Sequence, residues 1–230
     1  MIRDLKVVDN NCLISASDDS TIKIWNLADG TLNKTLTEHT NGVMDLALLP
    51  NGDLASASAD KTIKIWNIND GSVKRTLTGH TSYVNSLVVL NNGDLASGSG
   101  DHTIRIWDVD AGTVKRTLSG HESFIYSLII LENGDLVSGS NDRSIKIWNT
   151  EDGTVKRTLT GHNYLVYALK ELGNGDLVSG SYDKTIKIWN VEDGSLKKSI
   201  TVNSPIYSLE ISENGDLVTG CSDGTITIWE

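Results

Sequence analysis

Apolar and polar residues alternate strictly along Thr103-Ile104-Arg105-Ile106-Trp107, which predicts a β-strand with one buried face. Upstream, Val84–Leu90 is a short apolar, β-branched run, and Leu95–Ser99 reads as a second strand. Downstream, Thr113–Leu118 reads as the fourth strand and carries Lys115 and Arg116. Turn chemistry separates these segments. Asn92-Gly93 predicts a type I′ hairpin, Gly100-Asp101-His102 a second turn, and Ala111-Gly112 a third. No helical period is sustained anywhere in the unit. The same order recurs along the whole chain, with Asn51-Gly52, Asn133-Gly134, Asn174-Gly175 and Asn214-Gly215 at the first turn. Asp29-Gly30, Asp70-Gly71, Asp152-Gly153 and Asp193-Gly194 hold the third. Trp25, Trp66, Trp107, Trp148 and Trp189 stand 41 residues apart, and Trp229 follows 40 later. The chain is therefore one four-stranded antiparallel unit, copied six times. Such units bury both faces only against one another, and stacked radially they make a β-propeller. The charged fourth strands, Lys74-Arg75, Lys115-Arg116, Lys156-Arg157 and Lys197-Lys198, read as solvated edges that discourage aggregation.

Composition narrows the function. With 230 residues and a repeat throughout, one domain over 1–230 is expected. The formal charge of −10 argues against nucleic acid and anionic membranes as partners, since both require clustered cations. No apolar run is long enough to span a bilayer, and Met1-Ile2-Arg3-Asp4 does not read as a secretion signal. Cys12 and Cys221 form no metal or redox motif, so a reducing, cytoplasmic setting is expected.

The Gly-His dipeptides, the Ser-Gly-Ser-x-Asp turns and the Trp followed by Asp or Asn resemble the WD-repeat β-propeller family. Only Trp107-Asp108 has the literal dipeptide; the other tryptophans precede Asn26, Asn67, Asn149, Asn190 and Glu230. The resemblance covers essentially the whole chain. It implies a structural hydrogen-bond network in each blade, made by His39, Ser56, Asp60 and Trp66; His80, Ser97, Asp101 and Trp107; His121, Ser138, Asp142 and Trp148; and His162, Ser179, Asp183 and Trp189. A Ser, His and Asp together also suggest nucleophilic catalysis. A nucleophile is needed once, however, and this set recurs, so no catalytic residue is assigned. One His per repeat gives no cluster for a metal, and no cofactor is expected. Copy one has Ser15, Asp19 and Trp25 without a His, and copy six has Thr219, Asp223 and Trp229 with Val202-Asn203 in place of Gly-His.

The strand count raises a closure problem. Blades at roughly 1–37, 43–78, 84–119, 125–160, 166–201 and 206–230 leave the last without its outer strand. Three readings fit: a six-bladed ring with a short last blade, a fragment of a seven-bladed ring, or a chain completed by self-association. A six-bladed ring is expected.

The six Tyr and single Phe are unevenly placed. Tyr83, Phe124, Tyr126, Tyr164, Tyr167 and Tyr207 follow the Gly-His position or open the first strand, and Tyr182 lies in the turn between strands two and three. Those connections share one end of a blade, so the rings are expected to surround one mouth of the propeller. By the family's pattern, partner contacts fall on Tyr83, Asn85, Phe124, Tyr126, Asn141, Leu165, Tyr167, Tyr182 and Tyr207. Lys61, His102, Arg143 and Lys184 follow the turn Asp and are expected on the same side. The leading function is a noncatalytic scaffold binding a protein or peptide. Two rivals stay open: an engineered or truncated array with no binding role, and a propeller enzyme acting at the channel. For the enzyme, Asp45 and Arg3 are the unusual groups, neither with an evident companion.

Overall fold

The structure, a computed structural model, describes residues 1–9 and 11–229, the side chain of Asp9 excepted. Glu230, which follows the last Trp, lies outside them. The described residues fold into strands alone. Blade one is β1 (Ile2–Asp9), β2 (Cys12–Ser17), β3 (Ile22–Asn26) and β4 (Leu32–Leu36). Blade two is β5 (Val43–Leu48), β6 (Leu54–Ser58), β7 (Ile63–Trp66) and β8 (Val73–Leu77). Blade three is β9 (Val84–Val89), β10 (Leu95–Ser99), β11 (Thr103–Asp108) and β12 (Thr113–Ser119). Blade four is β13 (Ile125–Ile130), β14 (Leu136–Ser140), β15 (Ile145–Trp148) and β16 (Val155–Leu159). Blade five is β17 (Val166–Glu171), β18 (Leu177–Ser181), β19 (Thr185–Trp189) and β20 (Leu196–Thr201). Blade six has only β21 (Ile206–Ile211), β22 (Leu217–Cys221) and β23 (Ile226–Trp229). The strands of each blade pair antiparallel in sequence order, so this is an all-β propeller fold of six blades, the last three-stranded.

Each blade has two chemically distinct faces, because successive strand residues point to opposite sides. In blade two, Leu54 pairs with Trp66 and Ser56 with Lys64, giving a tryptophan face. Ala55 pairs with Ile65 and Ala57 with Ile63, giving an isoleucine face. Stacking joins unlike faces. Two compact units, Met1–Thr117 and Leu118–Glu230, divide the chain. In the first unit, Ile14, Ala16, Ile22 and Ile24 of blade one pack on Val43, Leu46, Leu54 and Trp66 of blade two. Ala55, Ile63 and Ile65 then pack on Val84, Leu87, Leu95 and Trp107. In the second unit, Val137, Ile145 and Ile147 pack on Val166, Leu177 and Trp189, and Val178 and Ile186 pack on Ile206, Leu217 and Trp229. Each fully buried Ile or Leu contributes about 1.5–3 kcal/mol from water exclusion. These stacked faces form the core.

Two sequence expectations change. The first hairpin is not a two-residue type I′ turn. Gly93 has φ +85°, but Asn92 is not in the left-handed region, and the Gly93 N–H donates to Leu90 O at 2.9 Å while the Leu90 N–H donates to Asp94 O at 2.8 Å. The loop thus starts one residue earlier and has three residues, Asn91–Gly93, with Gly in the left-handed position. The Asn92 carboxamide is used elsewhere: its Oδ1 accepts the Asp94 N–H at 3.0 Å. The fourth strands are also less free than a solvated edge. Lys74, Lys115 and Lys197 reach Asp53, Asp94 and Asp176 at 2.6–2.7 Å, and Lys156 pairs with Asp135. Half-exposed ammonium groups here cap carboxylates tucked beneath the first hairpin.

Candidate functional site

In blades two to five the same four side chains form a continuous hydrogen-bond chain. The Trp66 indole N–H donates to Ser56 Oγ at 2.7 Å, Ser56 Oγ meets His39 Nε2 at 2.7 Å, and His39 Nδ1 meets Asp60 Oδ2 at 2.7 Å. Blade three repeats this with Trp107, Ser97, His80 and Asp101 at 2.8, 2.7 and 2.8 Å. Blade four uses Trp148, Ser138, His121 and Asp142 at 2.8, 2.6 and 2.6 Å. Blade five uses Trp189, Ser179, His162 and Asp183 at 2.8, 2.7 and 2.9 Å. The partners assign the tautomer: the carboxylate accepts from Nδ1–H, so Nε2 accepts from the Ser hydroxyl, whose oxygen accepts the hydrogen bond of the indole N–H. Each Asp also anchors its turn. Asp142 accepts the Ser144 N–H at 2.9 Å, the Ser144 hydroxyl at 2.6 Å and the Glu122 N–H at 3.0 Å. Burial alone would raise these carboxyls. Hydrogen bonds from His, from the following Thr or Ser and from backbone N–H groups overcome it, and hold Asp60, Asp101, Asp142 and Asp183 well below the usual carboxylate range. The four Ser residues are completely buried, with Oγ under an indole, so a substrate carbonyl has no path to them. Gly161 shows why glycine precedes His: its φ is +149°, and a Cβ there would lie 3.2 Å from the Trp189 ring.

Blades one and six keep the indole half of this arrangement. Trp25 donates to Ser15 Oγ at 2.9 Å and Trp229 to Thr219 Oγ1 at 3.1 Å. Asp19 holds its local turn through Thr21, with a Ser17 contact, and Asp223 holds its turn through Thr225 and also takes a hydrogen bond from Ser204 in the loop before β21.

The aromatic side chains of the second unit form a ribbon. Phe124 meets Tyr126 at 6.3 Å between ring centroids, and Tyr126 stacks on Tyr167 at 5.2 Å and 18°. Tyr167 meets Tyr207 edge-on at 4.9 Å, Tyr207 meets Tyr182 at 6.4 Å, and Tyr182 meets Tyr164 at 5.2 Å. The repeat itself builds this row. Tyr126, Tyr167 and Tyr207 occupy the same position, the second residue of β13, β17 and β21, and these inner strands lie side by side. Burial, then the neighbouring Tyr167, pushes the Tyr126 phenol up. Tyr164, Tyr182 and Tyr207 are exposed. Asn141 is exposed beside the ribbon's blade-four loop, its amide donating to Ser123 Oγ at 2.8 Å, and Leu165 is half-buried between Tyr164 and Val166. In the first unit, Tyr83 is exposed and Asn85 half-buried at the start of β9. The position of Tyr126 is held there by Asn85, Met44 and Arg3, so no such row forms in that unit. Lys61, His102, Arg143 and Lys184 are exposed and all have φ between 65° and 74°, an unusual conformation for side chains of this size.

Asp45 does have a companion. Asp4, its counterpart one repeat earlier, hydrogen-bonds to it, and Asp4 pairs with Lys6 at 3.3 Å. The Leu46 N–H donates to Asp4 Oδ2 at 3.1 Å and the Leu87 N–H to Asp45 Oδ2 at 2.6 Å. These bonds stitch together the inner strands of blades one, two and three. Burial, reinforced by the Asp4 charge, pushes Asp45 up to about 8. Arg3 instead pairs with Asp18 at 2.6 Å. Among the described residues no three His, Cys, Asp or Glu side chains converge as a metal site would.

A family model described as "WD domain, G-beta repeat" matches residues 2–26, 30–67, 71–108, 112–149, 153–190 and 194–230. The chain belongs to the WD40 repeat family. A solved structure described as the WD40 beta propeller domain of Doa1 is similar over 100% of this chain and 92% of its own, with 31% identity and a TM-score of 0.78. A search of curated proteins returned no match. WD40 propellers are typically noncatalytic interaction scaffolds that bind proteins or peptides. This WD40 chain departs from the family motif at two informative places. Glu38 stands where glycine precedes His in blades three to five, yet His39 keeps the full network. Asn after Trp, in place of Asp, caps its own turn: the Asn67 Oδ1 accepts the Asn69 N–H at 3.0 Å.

Proposed function

We propose that this chain is a noncatalytic protein- or peptide-binding scaffold and that the aromatic ribbon of the second unit is its recognition surface. The observation that carries this reading is the continuous contact of six rings, from Phe124 to Tyr164, at one end of three adjacent blades. Tyr supplies large contact area with few rotatable bonds and a polar tip, so it loses little entropy when a partner docks. Prior ring-to-ring contact lowers that cost further. The surface is open. The cleft of about 290 Å³ in this unit, lined by Asn133, Asp135, Lys156 and Arg157, lies at the opposite end of the strands. An open aromatic row suits an extended chain better than a small molecule. Arg143 and Lys184, exposed in the turns that hold Asn141 and Tyr182, favour acidic or phosphorylated groups.

The test uses the parent and Tyr126→Ala/Tyr167→Ala against a displayed peptide library and a cell lysate. Enrichment by the parent that vanishes in the double variant, at unchanged circular dichroism, supports the assignment. Identical profiles would overturn it.

A further inference from the structure

The ribbon's own chemistry selects the kind of chain that fits it. Its inner run, Tyr126, Tyr167 and Tyr207, stands on neighbouring inner strands, with β17 between β13 and β21. Tyr167 therefore lies between the other two, 5.2 Å from one ring centroid and 4.9 Å from the other. Tyr182 and Tyr164 continue the row at 6.4 and 5.2 Å. Contact along the row leaves no slot for a flat group to slide between rings: Tyr126 and Tyr167, 18° from parallel, cover each other's facing sides. The open part of the row is a series of furrows between rings, with Tyr164, Tyr182 and Tyr207 exposed. The hydroxyls of Tyr126, Tyr164, Tyr182 and Tyr207 make no hydrogen bond among the described residues.

This surface offers donors. The phenols donate, and so do the exposed cations Arg143 and Lys184. The turn carboxylates beside those cations, Asp142 and Asp183, are taken up by His121 and His162. A fitting chain is therefore rich in open acceptors, poor in donors, and apolar enough to fill the furrows. A polyproline II helix has all three properties. It makes no internal hydrogen bonds, so its carbonyls are free, and proline has no N–H. A β-strand would bring N–H groups that need acceptors, and an α-helix already uses its carbonyls internally. Spacing agrees. A polyproline II helix turns once in three residues, about 9 Å, so residues three apart can meet Tyr126 and Tyr207 while those between cross Tyr167. Nucleobases are a poorer match, because they stack on open ring faces, which this row shares among its own members.

We infer that the ribbon binds a proline-rich segment in the polyproline II conformation. Pyrrolidine rings fill the furrows along Tyr126, Tyr167 and Tyr207, backbone carbonyls accept from tyrosine hydroxyls, and an acidic residue beyond the prolines reaches Lys184 or Arg143. This deepens the reading of the ribbon as a recognition surface and rests on it. The bound conformation is largely present before docking, so little chain entropy is lost on binding.

Fluorescence anisotropy on the full chain tests this with a labelled decaproline ending in a pair of glutamates, against a Gly-Ser chain of equal length and charge. The parent should bind the proline peptide and hold the flexible control about tenfold more weakly or worse. Tyr126→Phe/Tyr207→Phe keeps both rings and removes two donors, so it should weaken binding about tenfold with the melt unchanged. Tyr126→Ala/Tyr167→Ala should abolish binding, with folding checked by circular dichroism. Equal affinity for the two peptides, a proline-peptide Kd above about 1 mM, or full affinity in the Phe variant would each overturn the proposal. So would tighter binding of oligouridylate or of an amphipathic helical peptide by the same tyrosines. The displayed library separates this inference from the reading beneath it. Peptides that enrich on the parent, fail on the Ala variant and lack proline would leave the recognition surface standing and sink the polyproline occupant. Absence of any enrichment would sink both.

Discussion

Replacing Asp142 with Ala tests the blade network against an internal control, Asp19→Ala. Asp142 accepts from His121 Nδ1, the Glu122 N–H, and the Ser144 N–H and hydroxyl. Asp19 makes the equivalent turn bonds to Thr21 but has no His. The two losses therefore differ chiefly by one buried imidazole donor and one backbone donor. Stranding a buried donor costs about 1–3 kcal/mol, and the partly exposed turn bonds are worth about 0.5–1.5 kcal/mol net. Asp142→Ala should cost about 3 kcal/mol and Asp19→Ala about 1 kcal/mol. For a chain of this size, about 2–4 °C of Tm is lost per kcal/mol, so the melts should fall by about 6–12 °C and 2–4 °C. Acid supplies a second readout. The native carboxyl of Asp142 sits below its unfolded value, so its contribution is complete above the unfolded pKa and is lost as pH falls. The gap between parent and Asp142→Ala should shrink below about pH 4. Equal Tm losses at the two positions, or a gap unchanged in acid, would refute the network as the source of blade stability.

Two further perturbations follow from the same geometry. Asp45 binds its proton more tightly folded than unfolded, so raising pH from about 5 towards 8 should destabilise the parent, and Asp45→Asn should flatten that slope in urea midpoints; identical slopes would show that Asp45 does not titrate as described. Arg143 holds φ 72°, so Arg143→Gly should change stability by less than about 1 kcal/mol, whereas β-branched Arg143→Val should lose about 1–2 kcal/mol by thermal melt; equal tolerance of Val and Gly would show that the turn relaxes freely.

The sequence by itself determined the blades. Strict alternation assigns Ile104 and Ile106 to one face and Trp107 to the other, and a 41-residue repeat makes every copy answer alike. The recurrence of Ser, His, Asp and Trp also pointed to a structural network, because residues recurring at one spacing occupy one place in each fold unit. What escaped the sequence depended on distances between units of the repeat. The Asp4–Asp45 pair spans one period and would emerge only by aligning copies, and even then its hydrogen bond needs β1 beside β5. The first hairpin escaped because Asn-Gly satisfies both a type I′ turn and a three-residue loop, and the Asx bond from Asn92 to Asp94 decides between them. Tertiary structure alone decided that Tyr126, Tyr167 and Tyr207 touch and that Tyr182 and Tyr164 extend their row. It alone left Ile226 exposed and Ile145 buried. Local pattern specifies which side of a strand is apolar; only packing specifies whether anything lies against it.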